Sequence, residues 1–257
     1  TSTTSVDPVA AAADLCERHD AWLHVDAAYA GPAASLPERR DLFEGWGRAD
    51  SVVVNPHKWL FTPMDLSVLF FRDAGAVRQS LALTPDYLSG DEEGATNLMD
   101  YGLPLGRRFR ALKLWFLFRF FGADGLRARL RAHLEWAGDF ARWIEADERF
   151  ERAAPAPFST VCFRARRPDE LPVEDGVGGS VGGREGAGGL EARNDWNRRL
   201  LESVNEAGRV FLSHTVLDGA HTLRLAVGSI RHRREDVRRA YDELVAAWKR
   251  LASEEEG

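Results

Sequence analysis

Two apolar stretches that end in polar residues decide the fold of this chain. Residues 22–31 read WLHVDAAYAG and residues 51–59 read SVVVNPHKW. Each begins as a β-strand; the first ends at the carboxylate of Asp26, and the second leads to the amine of Lys58. Their separation of 32 residues suits neighbouring parallel strands joined by a crossover. The pattern therefore predicts an α/β fold with polar groups at the carboxyl edge of a sheet covered on both faces.

Composition limits the classes of partner. The 257 residues are 44% hydrophobic and 29% charged, as in soluble globular proteins. A formal charge of −6 predicts neither a nucleic-acid partner nor binding to an anionic membrane, and no apolar run reaches the roughly 18 residues of a membrane span. The two cysteines, Cys16 and Cys162, lie far apart, so we expect no disulfide framework or zinc cluster and a cytoplasmic location.

The chain is predicted to contain two domains. Residues 1–122 carry the strands above and end in an apolar helix that begins near Arg107 and stops at Gly122. We expect this helix to be buried on most sides or to sit between domains. Residues 123–257 predict a smaller layer of mixed strands and helices. A glycine-rich run within about 168–193 is predicted to be a flexible insertion, because it has too little apolar surface to offset its backbone entropy. The chain opens at Thr1 without an initiator methionine, and we expect it to be the later part of a longer protein.

The pairing of Asp26 with Lys58 suits pyridoxal 5'-phosphate. This cofactor needs an amine to react with its aldehyde and an acid to keep its ring nitrogen protonated. We expect Lys58 to be partly desolvated, and Asp26 to be buried beside the cationic ring nitrogen. The small side chains of residues 27–31 would leave room for a flat ligand. Taken singly, Lys58 also reads as a solvated surface lysine and Asp26 as a turn residue.

A metal site is the alternative from another class. His24 and Asp26 alternate along a strand and therefore share a face, and His57 would supply a third ligand. That set would make the protein a metal-dependent hydrolase. It would have to tolerate the neighbouring Lys58 cation and leaves the run of small residues unexplained, so we favour the pyridoxal phosphate interpretation, with no metal.

Three motifs in order carry a family resemblance. They are HVDAAYAG at 24–31, NPHKW at 55–59 and LPLGRRFRALK at 103–113. The sequence resembles the group II pyridoxal-phosphate-dependent decarboxylases, most closely the aromatic-L-amino-acid decarboxylases, and the likeness continues through 160–164 and 223–227. The resemblance implies a type I, aspartate-aminotransferase-like PLP-dependent transferase fold. The chain would supply the C-terminal part of the large domain and a small α/β C-terminal domain. It also implies decarboxylation of an L-amino acid to an amine and CO2, by a homodimer with shared active sites.

The resemblance assigns roles residue by residue. Lys58 matches the lysine that bonds to the cofactor, Asp26 the partner of the ring nitrogen and Ala28 a residue packed on the ring. Asn55 and His57 match residues around the phosphate, and Thr1 matches a threonine close to the cofactor.

Tyr87 matches a catalytic residue on a mobile loop. The sequence TPDYL at 84–88 resembles the family loop whose tyrosine reaches the partner subunit's site and returns a proton to the substrate carbon after CO2 leaves. A tyrosine here favours decarboxylation over the oxidative, aldehyde-forming branch, where phenylalanine is expected.

Three further functions stay open at this stage. The protein would be an aromatic aldehyde synthase or another pyridoxal-dependent lyase, or an inactive fragment whose sheet binds a partner. The resemblance places the ring-stacking histidine, a phosphate-binding alanine-serine pair and most of the substrate pocket in an N-terminal half. We therefore expect this chain alone to be incomplete as an enzyme, and the sequence leaves the amino acid undecided.

Overall fold

A computed structural model describes residues 2–82, 96–171 and 187–256. It divides into two compact units, one spanning Asp7–Arg127 and the other residues 128–256 together with residues 2–6. The predicted domain division between residues 122 and 123 lies close to this boundary and stays a prediction.

The first unit carries the two opening motifs on a small sheet. Its helices are α1 (Val9–Arg18), α2 (Pro56–Trp59) and α3 (Ala74–Leu81), and its strands are β1 (His24–Asp26), β2 (Ser51–Val54) and β3 (Val68–Phe71). Short 3-10 helices lie at Gly31–Ser35, Pro37–Phe43, Trp46–Arg48 and Leu98–Tyr101. The predicted strand at Ser51–Val54 is confirmed to the residue, and the helix expected from Val9 ends at Arg18.

The strand order is β1-β2-β3, with β1 parallel and β3 antiparallel to β2. Asp26 pairs with Val53, which in turn pairs with Leu69, so these three side chains share one face. Val25 and Val52 point to the other face, where Val25 is buried.

The sheet is less covered than expected. Leu69 and Phe70 of β3 point to opposite faces, yet they are 45% and 59% exposed. Each face of this edge strand is therefore open within the described residues, whereas the apolar strands had predicted two covered faces.

Helix α4 (Ala111–Ala146) begins within the third motif, four residues later than the start expected near Arg107. Gly122 has φ 63° and ψ 173° inside it, a conformation that favours glycine, so the interruption expected at Gly122 is confirmed although the helix resumes beyond it. The turns before Gly122 were expected to be buried on most sides or to sit between domains. Burial on most sides is wrong for this chain, because Trp115 is 53%, Phe116 57% and Phe120 82% exposed.

The second unit places two helices beside a four-stranded antiparallel sheet. Its elements are β4 (Phe150–Arg152), β5 (Thr160–Ala165), a 3-10 helix at Pro168–Glu170, α5 (Ala187–Glu206), β6 (Ser213–Leu217), β7 (Ala220–Ala226) and α6 (Arg234–Glu256). The strand order is β4-β5-β7-β6, and the core contains Phe140, Phe163, Trp196, Leu223 and Leu244, all 0% or 1% exposed.

The ordered structure reaches into the predicted insertion from both ends. Pro168–Glu170 forms its 3-10 helix, and α5 begins at Ala187, ahead of the expected limit at residue 193. The physical reason is anchoring, because Arg193 is buried and its Nε donates to the Ala165 carbonyl at 3.2 Å. Residues 172–186 lie outside the described part of the chain. No helix in the described residues is both long and apolar enough to span a membrane.

Candidate active site

The sheet brings the two opening motifs to one edge. Asp26 is the last residue of β1, and Asn55 follows β2 directly, before the short helix α2 that carries His57 and Lys58. Because β1 and β2 are parallel, their carboxyl ends meet at the same edge, where open α/β sheets bind ligands. The expected juxtaposition of an acid and an amine on neighbouring strand ends is therefore present.

Ala28 connects the two strand ends through its backbone. Its N–H donates to Asp26 Oδ1 at 3.0 Å and its carbonyl accepts from the Asn55 N–H at 3.0 Å. The first bond orients the Asp26 carboxylate, and the second fixes the turn that leads to Lys58. Ala28 itself is 8% exposed.

Aromatic stacking ties the same two motifs together. The rings of Tyr29 and Trp59 stack with their centroids 5.2 Å apart and their planes 13° from parallel. Trp59 is fully buried and directly follows Lys58, which is exposed. Lys58 therefore lies on a short helix that the buried Trp59 side chain anchors.

Residues 66 and 67 hold the polar side chains of α2 and the turn before it. Nδ1 of His57 lies 3.0 Å from the Leu66 nitrogen and 2.5 Å from the Leu66 oxygen. The Ser67 hydroxyl donates to Asn55 Oδ1 at 2.6 Å. One nitrogen of His57 and the amide nitrogen of Asn55 are thereby left to face a ligand.

The metal alternative finds no support in the described residues. They hold no cluster of three or more His, Cys, Asp or Glu side chains placed to bind a metal. His24 Nδ1 lies 2.7 Å from Ser51 Oγ, and His57 Nδ1 is engaged by Leu66. The set His24, Asp26 and His57 therefore does not form the site that a hydrolase of this kind needs.

A family model of the pyridoxal-dependent decarboxylase conserved domain matches residues 1–166. The chain belongs to the pyridoxal-dependent decarboxylase family. It is 40% identical over 231 residues to tyrosine decarboxylase 4 of Petroselinum crispum, which covers 89% of this chain and 43% of that protein. It is 38% identical over 232 residues to phenylacetaldehyde synthase of Arabidopsis thaliana, covering 89% of this chain and 44% of that protein. The chain thus spans less than half the length of these relatives.

The fold expected from the resemblance is confirmed. The crystal structure of Oryza sativa TDC with PLP and tryptamine matches with a TM-score of 0.86 and 37% identity, over 98% of this chain and 49% of that chain. The present chain accordingly has the α/β architecture of one part of a type I decarboxylase.

The residues at the sheet edge fit pyridoxal phosphate chemically. A lysine amine, an oriented carboxylate and two nitrogen-bearing side chains, those of Asn55 and His57, converge on the edge formed by β1 and β2. These are the groups needed for the aldehyde, the ring nitrogen and the phosphate respectively. Which residue performs which role stays a prediction.

Two expectations about the site are wrong for this chain. Asp26 and Lys58 are exposed, whereas burial and partial desolvation were expected. The physical reason is the open sheet edge, since no described residue covers either group.

The small size of Gly31 also has a cause within the protein. A Cβ there would lie 2.7 Å from Val54 Cγ2, so packing against β2 by itself favours glycine at this position.

Two site residues of the decarboxylase prediction, Thr1 and Tyr87, lie outside the described residues. Their roles stay predictions.

Sequence reasoning missed the contacts behind the site. Arg110 of the third motif donates from Nε and Nη2 to Asp65 Oδ2, at 3.1 and 2.9 Å, and hydrogen bonding to this guanidinium lowers the pKa of Asp65 to about 2. Lys113 Nζ donates to the Pro63 carbonyl at 2.8 Å. The third motif thus holds the loop that follows Lys58. Ser67 was also missed, although the β2–β3 register, in which Val54 pairs with Val68, places it opposite Asn55.

Proposed function

We propose that the protein containing this chain is a pyridoxal-phosphate-dependent decarboxylase that converts an aromatic L-amino acid to its amine and CO2. The observation that carries the proposal is the meeting of Asp26 and Lys58 at the carboxyl ends of adjacent parallel strands in a member of this family. Relatives named as tyrosine and tryptophan decarboxylases support an aromatic substrate.

The bound cofactor supplies an electron-withdrawing ring that accepts the electrons of the bond broken when CO2 leaves. Asp26 keeps a proton on the ring nitrogen, with its carboxylate oriented by the Ala28 N–H. Lys58 would supply the amine that holds the cofactor by its aldehyde. Asn55 and His57 bind the phosphate through nitrogen atoms, and Ala28 packs on the ring.

Formation of the aldehyde is the second candidate activity. The 38% identity with a phenylacetaldehyde synthase supports it, and Tyr87 opposes it, because the resemblance assigns that tyrosine the proton that completes amine formation. Replacing Tyr87 with Phe in the full-length protein should shift the products from amine and CO2 towards aldehyde, CO2, ammonia and hydrogen peroxide, with dissolved O2 as the oxidant. A wild-type protein that already releases aldehyde and peroxide in equal amounts would make the synthase the better assignment.

We also propose a homodimer with shared sites. Exposed aromatic side chains within and after the third motif support an apolar interface, since Phe109 is 74% and Phe120 82% exposed in this chain. Sedimentation of the full-length protein should give twice the monomer mass, and a monomer that retains full activity would refute the dimer.

A cytoplasmic location is proposed from the two free thiols, Cys16 and Cys162, which a reducing compartment preserves. Cell fractionation tests it.

Borohydride reduction tests the central claim. The full-length protein is incubated with pyridoxal phosphate, reduced and mapped by peptide mass. The reduced cofactor should be attached to Lys58, and the Lys58→Ala variant should carry none at that peptide. Attachment to a different lysine in the wild-type protein would overturn the assignment. Treatment with a chelator should leave the bound cofactor unchanged.

A further inference from the structure

Ser67 stands directly behind Asn55 at the sheet edge. Asn55 follows β2 and Ser67 precedes β3, and because Val54 pairs with Val68 the two residues form the next antiparallel position beyond the ladder. The Ser67 hydroxyl donates to Asn55 Oδ1 at 2.6 Å. Ser67 itself lies outside the motif that carries Asn55 and Lys58.

The backbone of Asn55 is also fixed. Its N–H donates to the Ala28 carbonyl at 3.0 Å, and its carbonyl accepts from the Lys58 N–H at 2.9 Å. With the backbone held on both sides, rotation of the side chain is the remaining freedom. The bond from Ser67 restrains this rotation as long as the hydroxyl donates, because a hydroxyl proton is accepted by the amide oxygen and not by the amide nitrogen.

The orientation of this amide decides what Asn55 offers to a ligand. With Oδ1 engaged by Ser67, the Nδ2 group presents its two N–H donors away from β3. The opposite orientation would present a carbonyl oxygen, which repels an anion. The backbone of Leu66, the residue before Ser67, contacts Nδ1 of His57, so residues 66 and 67 together hold both polar side chains of this edge.

We propose that Ser67 is a positioning residue, which fixes the Asn55 amide so that it donates to the phosphate of pyridoxal phosphate. The inference rests on the proposed function, because it requires the cofactor at this edge. Its distinctive consequence is selectivity for the phosphate group. Loss of the Ser67 hydroxyl should weaken binding of pyridoxal phosphate and should leave binding of pyridoxal, which lacks the phosphate, unchanged.

The test compares dissociation constants of the full-length protein for the two ligands, measured by absorbance of the bound form. Ser67→Ala should weaken pyridoxal phosphate binding by about 3- to 10-fold, the size expected for one modest hydrogen bond, and pyridoxal binding should stay within experimental error. Ser67→Thr keeps the hydroxyl and should restore affinity. Ser80→Ala is the matched control, because the Ser80 hydroxyl bonds only the Ala76 carbonyl of its own helix among the contacts described.

A double variant separates positioning from general destabilisation. In the Asn55→Ala background, Ser67→Ala should cause no further loss of affinity for pyridoxal phosphate. An equal loss for both ligands, or a further loss in that background, would overturn the role of Ser67. Unchanged affinity of Ser67→Ala for pyridoxal phosphate would overturn it too. If the wild-type protein carries no cofactor on Lys58 after borohydride reduction, the proposed function itself fails, which is a different result.

Discussion

Replacement of Gly31 by alanine tests why the residues after Asp26 are small. Gly31 packs against β2, and a Cβ at this position would lie 2.7 Å from Val54 Cγ2, 3.1 Å from Val54 Cγ1 and 3.3 Å from the Ala27 Cβ. Real Cβ atoms essentially never approach another heavy atom to 2.7 Å, so either the 3-10 turn at Gly31 or the end of β2 must move.

The cost follows from the stiffness of the neighbour. Val54 is β-branched and held in the strand, so it cannot turn both methyl groups away from the new Cβ. Overpacking of this kind costs about 1–3 kcal/mol. Any shift of Val54 also displaces Asn55, the next residue, so we expect weaker binding of pyridoxal phosphate as a secondary effect.

The free energy of unfolding of the full-length protein in urea measures the effect. Gly47→Ala is the control, because no atom lies within 4 Å of a Cβ built there. Both substitutions reduce the backbone freedom of the unfolded chain by the same amount. The difference between their free energies of unfolding therefore isolates the cost of the clash. Adding Val54→Ala to Gly31→Ala should recover about 1–2 kcal/mol as a coupling energy.

Two outcomes would refute this explanation of Gly31. One is a Gly31→Ala variant as stable as Gly47→Ala. The other is a loss of cofactor affinity that Val54→Ala does not relieve, which would return the small residues to the role of making space for a ligand.

Three other perturbations have defined outcomes. Burial lowers the pKa of His133 from 6.5 to about 4 in the folded protein. Between pH 4 and pH 6.5 the unfolded chain therefore binds more protons than the folded protein. The free energy of unfolding should consequently fall as the pH is lowered from 6.5 to 4. The His133 contribution is up to about 3 kcal/mol, and His133→Gln should flatten part of that slope in urea titrations at several pH values. Arg110→Met should return the pKa of Asp65 from about 2 towards 3.8, followed by NMR titration of its carboxyl carbon, and an unmoved pKa would contradict the pairing. Tyr241→Phe removes the hydroxyl that donates to Asp147 Oδ2 at 2.7 Å and should cost about 1.5 kcal/mol of unfolding free energy, whereas an unchanged urea midpoint would show that the bond contributes nothing.

Strong local patterns made much of the fold predictable. The strand at Ser51–Val54 was predictable because a run of valines favours an extended backbone. The break at Gly122 was predictable because glycine readily adopts the positive φ found there. Strand β4 at Phe150–Arg152 was missed, since it has three residues and only Phe150 is buried. Its existence depends on pairing with β5, which lies later in the chain.

The candidate site was predictable in its residue types but not in its supports. The acid, the amine and the side chains of Asn55 and His57 at the sheet edge follow from the order of the motifs. The bond from Ser67 to Asn55 and the pairing of Arg110 with Asp65 do not, because each joins residues that only strand register or loop folding brings together.

The sequence by itself determined that a carboxylate and a lysine end neighbouring apolar strands, because side-chain type and strand periodicity are local properties. It also determined the family, which the ordered motifs carry. Only the tertiary structure decided how open the edge is. Burial depends on what packs against a residue, and Asp26 and Lys58 are exposed here although their chemistry had suggested the opposite. The structure likewise shows that a side chain at Gly31 would meet Val54, a contact between two elements that no local pattern reveals.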